Sequence, residues 1–465
     1  MAARRYRSRR SGGVALALAL ALALALAALG AVLVERPASA ATVAVKVQGN
    51  QLVDGAGNPV RLLGVNRSGP EYACVDGFGI FDGPSDATSV AAIASWHTNA
   101  VRVALNEDCW LGINGVPAAF SGANYQNAIG QYVSTLHAAG LAVILNLEIN
   151  APGSTKANSL QVMADADHSP AFWSSVATFF KADPGVVFDV ITEPHDISWT
   201  CWRDGCTTAA GWKAAGMQSL VDAVRGTGAT QPIILGGLGY SSDLSQWLAF
   251  KPVDPAGQLA ASFHTYNFSG CSTQSCWDST VAPVAMAVPV VTGEFGEDDC
   301  ATGYINPFMA WADAHGISYL AWTWDAGGGW TCTGGPTVIT SYDGTPTNFG
   351  VGLRDHLAAL ASGSPPPTGG GGGGTGTLSG GVYKGGSAKP KKALAGASVL
   401  VNGVAAATTT ASGVFSVSEP AGTYTESVSL PGRVCHANTK KGPTSQSVTL
   451  ADGATSQVNW FCGKK

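Results

Sequence analysis

The sequence predicts an α/β chain built as a (β/α)8 barrel and followed by a small all-β sandwich. Three observations predict it. Between residues 41 and 362, eight short apolar, β-branched runs alternate with helix-like stretches, as parallel βαβ units require. A Pro- and Gly-rich tract with six consecutive glycines then interrupts the composition. Beyond it, hydrophobic residues alternate with a period of two between Gly and Pro turns, the pattern of a β-sandwich.

In chain order, residues 1–40 read as a targeting segment. Arg4, Arg5, Arg7, Arg9 and Arg10 make a cationic start, residues 14–34 are an almost unbroken Ala/Leu/Val run, and Ala38-Ser39-Ala40 offers a small-residue cleavage site. An extracellular protein with a signal peptide cleaved near Ala40 is expected. The apolar run is also long enough to span a bilayer, so a retained anchor is the alternative. The ten cysteines of an exported chain read as disulfides, and none sits in a C-x-x-C pair.

The barrel strands are expected over 60–65, 100–105, 141–147, 186–191, 232–235, 259–264, 288–293 and 317–322. Helices are expected between them over 88–96, 125–139, 170–181, 209–223 and 307–314, with Gly140 and Gly316 as terminators. Residues 363–377 form a linker, and 378–465 an accessory domain with strands over 398–401, 414–417, 424–430, 447–450 and 458–461.

A net charge of −5 and a pI near 5.9 exclude a nucleic-acid protein, which needs a basic footprint. Thirteen tryptophans among only 12% charged residues suit a neutral substrate with apolar faces, such as a sugar. Barrel chemistry sits at the C-terminal ends of the strands. The polar residues there are Asn66 and Arg67; Arg102, Asn106 and Glu107; Asn146 and Glu148; Thr192 and Glu193; His264 and Tyr266; Glu294; and Trp324 with Asp325. No nucleophile elbow and no metal-ligand spacing accompanies them, so acyl transfer and metal hydrolysis lack candidates, and no metal or cofactor is expected. Carboxylates remain, the equipment of glycoside hydrolysis.

Six motifs in order carry a resemblance. They are Gly64-Val65-Asn66 after Asn50 to Val60; Val101-Arg102-Val103; Phe188-Asp189-Val190-Ile191-Thr192-Glu193-Pro194; His264-Thr265-Tyr266; Thr292-Gly293-Glu294-Phe295-Gly296; and Ala321-Trp322-Thr323-Trp324. Over nearly all of residues 43–360 the chain resembles glycoside hydrolase family 5, the cellulase-like retaining barrel hydrolases. The resemblance implies that Glu193 is the acid/base and Glu294 the nucleophile, that Arg102, His264 and Tyr266 position or tune them, and that Trp322 is a sugar platform. Two positions depart from the family pattern: Thr192 replaces an Asn that reaches the substrate 2-hydroxyl, and Glu148 stands where His is expected. Glu148 is either a third acid at the cleft or an ion-pair partner on the barrel rim.

The expected activity is retaining hydrolysis of a β-linked polysaccharide, first an endo-β-glucanase, alternatively a β-mannanase or other β-glycosidase. A non-catalytic glycan- or wall-binding protein is the alternative from another class. Trp110, Trp202, Trp277 and Trp330 fall in expected loops and are cleft candidates, whereas Trp96, Trp173, Trp212 and Trp247 fall on helices and read as packing. Barrel order places Cys74 near Cys109 and Cys300 near Cys332 on neighbouring loops, and leaves pairs 201–206, 271–276 and 435–462. The accessory domain resembles carboxypeptidase regulatory-like and transthyretin-like sandwiches. It carries Lys384, Lys389, Lys391, Lys392, Arg433, Lys440, Lys441, Lys464 and Lys465 against Glu419, Glu426 and Asp452, which suits an anionic wall polymer or a solvated spacer. The partners expected are a polysaccharide substrate and no nucleic acid, with the chain a monomer.

Overall fold

The computed structural model describes residues 43–327, 331–363, 375–385, 392–401, 404–420, 422–450 and 454–464. The expected targeting segment, Trp330, Lys389, Lys391, Asp452, Lys465 and most of the expected linker lie outside these residues. No helix among the described residues is long and apolar enough to cross a membrane.

The chain starts with three short antiparallel strands, β1 (Lys46–Gln48), β2 (Gln51–Val53) and β3 (Pro59–Val60). Asp54 shapes the second turn by accepting hydrogen bonds from the backbone of Ala56 and Asn58, both at 2.9 Å. Val45, Leu52 and Leu62 pack with Ala100, Ala142, Val187 and Val291 from the starts of barrel strands, so this sheet plugs the N-terminal end of the barrel. The first barrel strand is therefore shorter than expected: residues 59–60 belong to the plug, and β4 covers Leu63–Arg67.

The barrel continues with β5 (Ala100–Asn106), β6 (Ala142–Ile149) and β7 (Val186–Asp189). A small hairpin, β8 (Cys206–Thr207) and β9 (Lys213–Ala214), intervenes. Strands β10 (Ile233–Gly236), β11 (Leu259–Tyr266), β12 (Val290–Gly296) and β13 (Ser318–Ala321) follow, and the eight parallel strands close in the order β10-β11-β12-β13-β4-β5-β6-β7. Each is largely apolar because both of its faces are buried, with polar residues such as Arg102, Asn146 and His264 kept for the site. Helices Ala87–Ala94, Ala123–Ala138, Ser169–Phe180, Met217–Arg225 and Ile305–Ala314 cover the outside. The helix expected over 209–223 is corrected to Met217–Arg225. The residues before it are held as β9, paired with β8 and bridged through Ala214 to Asp165, and backbone engaged in a ladder cannot also close helical bonds.

Trp110, Trp202 and Trp277 are also corrected. They sit on short helices with 0%, 0% and 3% exposure, and each indole N–H has a partner: Ser175 Oγ, the Gly236 carbonyl and the Cys271 carbonyl. They pack behind the barrel wall rather than in a cleft. All five disulfides pair as barrel order suggests: 74–109, 201–206, 271–276, 300–332 and 435–462.

After β14 (Ile339–Ser341), β15 (Thr345–Pro346) and the helix Asn348–Ala361, the C-terminal region is all β. One sheet has β19 (Val414–Pro420), β16 (Thr375–Lys384), β24 (Trp460–Lys464) and β21 (Arg433–Ala437), with β23 (Thr455–Gln457) beside β16. The other has β18 (Val404–Thr408), β17 (Ser398–Val401), β20 (Gly422–Ser429) and β22 (Ser445–Leu450). Leu378, Val399, Phe415, Val448 and Trp460 form one core drawn from both sheets. Strand β16 begins inside the run expected as linker. Its glycines are structural: a Cβ on Gly380 would stand 1.8 Å from the Val458 carbonyl oxygen, so only glycine permits the strand to lie against its neighbour.

Candidate active site

The C-terminal ends of the barrel strands surround a cleft of about 670 Å³. Its wall includes Glu71, Tyr72, Glu148, Glu193, Tyr240, Tyr266, Phe268, Glu294 and Trp322. Five of the sequence-derived site residues, Glu148, Glu193, Tyr266, Glu294 and Trp322, thus face one space. The other three, Arg102, Thr192 and His264, lie directly beneath and are 0–1% exposed.

Arg102 organises the floor. Its Nε donates to Asp189 Oδ2 at 2.8 Å, and its Nη1 to Asn66 Oδ1 and Glu294 Oε1, each at 2.8 Å. Its Nη2 donates to Thr192 Oγ1 at 3.2 Å. Thr192 therefore turns its hydroxyl toward Arg102, and toward Glu294 at 3.5 Å, within the floor. Glu148 lies 3.5 Å from Nη1 of Arg102, makes no hydrogen bond through Oε2, and stands on the cleft wall beside this cation.

Local backbone aims the two principal glutamates. A register shift at Phe263/His264 between β11 and β12 sets His264 opposite Glu294, the way a bulge re-aims side chains at a strand end. Gly293 is required beside it, because a Cβ there would lie 2.8 Å from His264 Nε2 and 2.9 Å from Ser262 Oγ. Asn66 holds the Gly293 carbonyl at 2.9 Å. Glu193 has φ 49°, and Asp196, Tyr240 and Ser241 near it have φ of 52°, 61° and 57°. Four left-handed non-glycine residues around one carboxylate store strain of about 1–3 kcal/mol each, the signature of a site whose geometry is imposed by its surroundings.

The electrostatics separate the two carboxyls. Burial pushes both up. For Glu294 the charges of His264 and Arg102 and the Tyr266 hydroxyl, 2.6 Å from Oε2, overcome burial and hold it below the usual carboxylate range. For Glu193 burial wins: the His264 contact at 3.1 Å offsets it only partly, the negative charge of Glu294 adds to it, and the carboxyl is raised. One donor atom each of Glu193, His264 and Glu294 lies within 4.8 Å of the others. The site thus brings together one carboxyl pushed up and one held down, with oxygens within 4.8 Å of each other.

A scan against family models matches residues 53–328 to the cellulase family, glycosyl hydrolase family 5. The chain belongs to glycosyl hydrolase family 5. Among curated relatives of this family 5 chain, endoglucanase E-5 of Thermobifida fusca is 24% identical over 274 residues, 57% of this chain and 51% of that protein. Mannan endo-1,4-β-mannosidase of Streptomyces lividans is 27% identical over 305 residues, 63% of this chain and 69% of that protein. The chain thus spans about half the length of the endoglucanase it matches. A β-glucanase from Saccharophagus degradans shares the fold with TM-score 0.54 at 18% identity, over 69% of this chain and 94% of that one.

Four contributors to the family 5 site escaped the sequence reading. Asp189 was visible only as part of a motif, although an acid inside a buried strand demands a cation and could have been matched to Arg102. Glu71, buried after β4 and pushed up to about 7 mainly by burial, left no signal in its neighbourhood. Tyr240 and Phe268, 48% and 63% exposed, stack on His195 and Tyr266 at 4.2 and 5.1 Å; exposed rings in loops are invisible to periodicity. Elsewhere Glu107, Asp165 and His168 bring three possible metal ligands within 4.8 Å, but Ser169 Oγ already bonds both carboxylates.

Proposed function

We propose that the protein is a secreted, retaining endo-β-glycosidase whose first substrate is β-1,4-glucan, with mannan or another β-glucan as the nearest alternatives. The observation that carries it is the Glu193–Glu294 pair, with oxygens within 4.8 Å and carboxyls shifted in opposite directions. Retaining hydrolases hold their carboxyls about 5–5.5 Å apart, whereas inverting ones leave room for a water between them. In this reading Glu294 attacks the anomeric carbon as Glu193 gives its proton to the departing glycosidic oxygen. Glu193, now ionised, takes a proton from water, whose oxygen attacks the same carbon and frees Glu294. Arg102 and Tyr266 keep Glu294 ionised before attack, and Trp322 offers an apolar face to the ring held between the acids. The names of the two relatives, an endoglucanase and a mannan endo-1,4-β-mannosidase, support a β-glycan without choosing between them. Five disulfides and the N-terminal targeting pattern support export.

The test combines a panel of purified β-glycans with two variants. Glu294→Ala is expected to stop hydrolysis, and azide to restore it with inverted product by entering the vacated face. Glu193→Ala is expected to spare the first step on substrates with activated leaving groups, and azide then to give a retained product. Failure of azide to rescue either variant, with both folded, would remove these role assignments.

A further inference from the structure

Nη1 of Arg102 carries two protons, and both are engaged, by Asn66 Oδ1 and Glu294 Oε1 at 2.8 Å. Nε is engaged by Asp189. Glu148 Oε2 stands 3.5 Å from the same Nη1, is shut off from solvent and receives no hydrogen bond. One guanidinium thus faces three carboxyls, and the donors nearest Glu148 are already committed to the others. The acids Glu71 and Glu193 share the cleft wall with Glu148 and act on it electrostatically. Glu71 cannot relieve it, because its own oxygens bond Ser68 Oγ and the Gly69 N–H. An ionised carboxylate placed here would be desolvated, short of a hydrogen bond and among like charges.

We infer that Glu148 is a neutral carboxylic acid in the working enzyme and donates a hydrogen bond to a hydroxyl oxygen of the bound glycan. This rests on the reading that Glu193 and Glu294 hydrolyse a glycan in this cleft. A neutral carboxyl presents both an O–H donor and a C=O acceptor, the complement of a sugar hydroxyl, whereas a carboxylate only accepts. Burial and then the negative charge of Glu294 push the Glu148 carboxyl well above the usual range, in line with the geometry. Neutrality also leaves Glu294 as the carboxylate that Arg102 holds on the cleft side. Glu148 is thereby a binding residue rather than a third charge.

Two measurements on the full chain test this. An infrared difference spectrum between the protein and its Glu148→Gln variant at neutral pH is expected to contain the absorption of a protonated carboxyl, missing in the variant. A carboxylate band in its place overturns the inference. The second is the pH profile of kcat/KM. Glutamine keeps a neutral, donor-bearing side chain, so both limbs are expected to stay in place in Glu148→Gln. Loss of a negative charge would instead make Glu193 and Glu294 both more acidic and move both limbs to lower pH, which overturns the inference. Glu148→Ala removes the donor and is expected to raise KM roughly two- to tenfold, the worth of one neutral hydrogen bond. An unchanged KM in folded Glu148→Ala also counts against it. Were the unmodified protein to cleave no β-glycan, the parent reading would fall, while the infrared spectrum would still report the charge of Glu148.

Discussion

Arg102 ties the chemistry to the framework, since the same guanidinium clamps Glu294 and pairs with Asp189 inside the barrel. Lysine cannot reproduce that fork, so Arg102→Lys is expected to lower kcat/KM at least a hundredfold and to move the acid limb upward as Glu294 loses the fixed guanidinium hydrogen bond. His264 lowers both reacting carboxyls, by its contact with Glu193 and its charge beside Glu294. His264→Ala is therefore expected to shift both limbs of the profile to higher pH. Glu107 offers a stability test of the opposite sign. Burial, reinforced by Asp165, pushes its carboxyl up to about 10 in the fold. An acid raised on folding costs stability once pH exceeds its unfolded value, and the cost grows up to the folded value. Glu107→Gln is expected to melt higher than the parent at neutral pH, with a gap that widens toward pH 9 and closes near pH 4, as calorimetry can follow. At this scale the sequence revealed identities but not partnerships. Glu193, Glu294, Arg102, His264 and Tyr266 stood at strand ends where their types suffice to suggest chemistry. Asp189 and Glu71 mean something only once a cation or a hydroxyl from another strand is beside them.

The shift of register in β11 and the glycine before Glu294 act together, since a ring is moved in and a side chain kept out. Gly293→Ala is expected to displace His264 and cut kcat/KM about tenfold or more, with about 1–3 kcal/mol lost in denaturant melts. Gly293→Ala with unchanged activity would mean that the ring has room the geometry denies. The pair Cys300–Cys332 links the loops after β12 and β13 across a separation of 32 residues. Replacing both by serine should lower stability by about 3 kcal/mol. The eight strands were legible because burial on two faces makes each a run of apolar residues. The β8–β9 hairpin was not, because β9 is also bridged to Asp165, far away in sequence, and its Ala-rich tail imitates a helix. Strand β16 was hidden for a different reason, since Gly380, demanded by close approach, removes a side chain from the alternation that marks a strand.

The barrel and the C-terminal sheets have separate hydrophobic cores. A chain ending after Ser362 is therefore expected to fold and to retain hydrolysis of soluble substrate, measured against the full chain on the same polymer. An inactive or insoluble truncation would reveal a dependence of one part on the other. In the C-terminal region Glu426 is buried on Trp460, so it does not offset the exposed Lys384, Lys392, Lys440, Lys441 and Lys464. If this surface holds anionic wall polymer, retention of the full chain on such polymer should fall steeply with salt. Fold class was readable at this scale from the alternation of runs, while the edges of each part were not, because composition changes more gradually than structure. The cleft has one more consequence, for inhibitor chemistry. Glu294, the carboxyl held below the usual range, lines it, and no lysine, arginine or histidine among the described residues does. Sugar mimics that carry a protonated ring nitrogen should accordingly bind more tightly than neutral lactone mimics of the same shape. Their advantage should shrink as the pH drops through the titration of Glu294, which makes an immobilised amine of that kind a practical handle for purifying the active form.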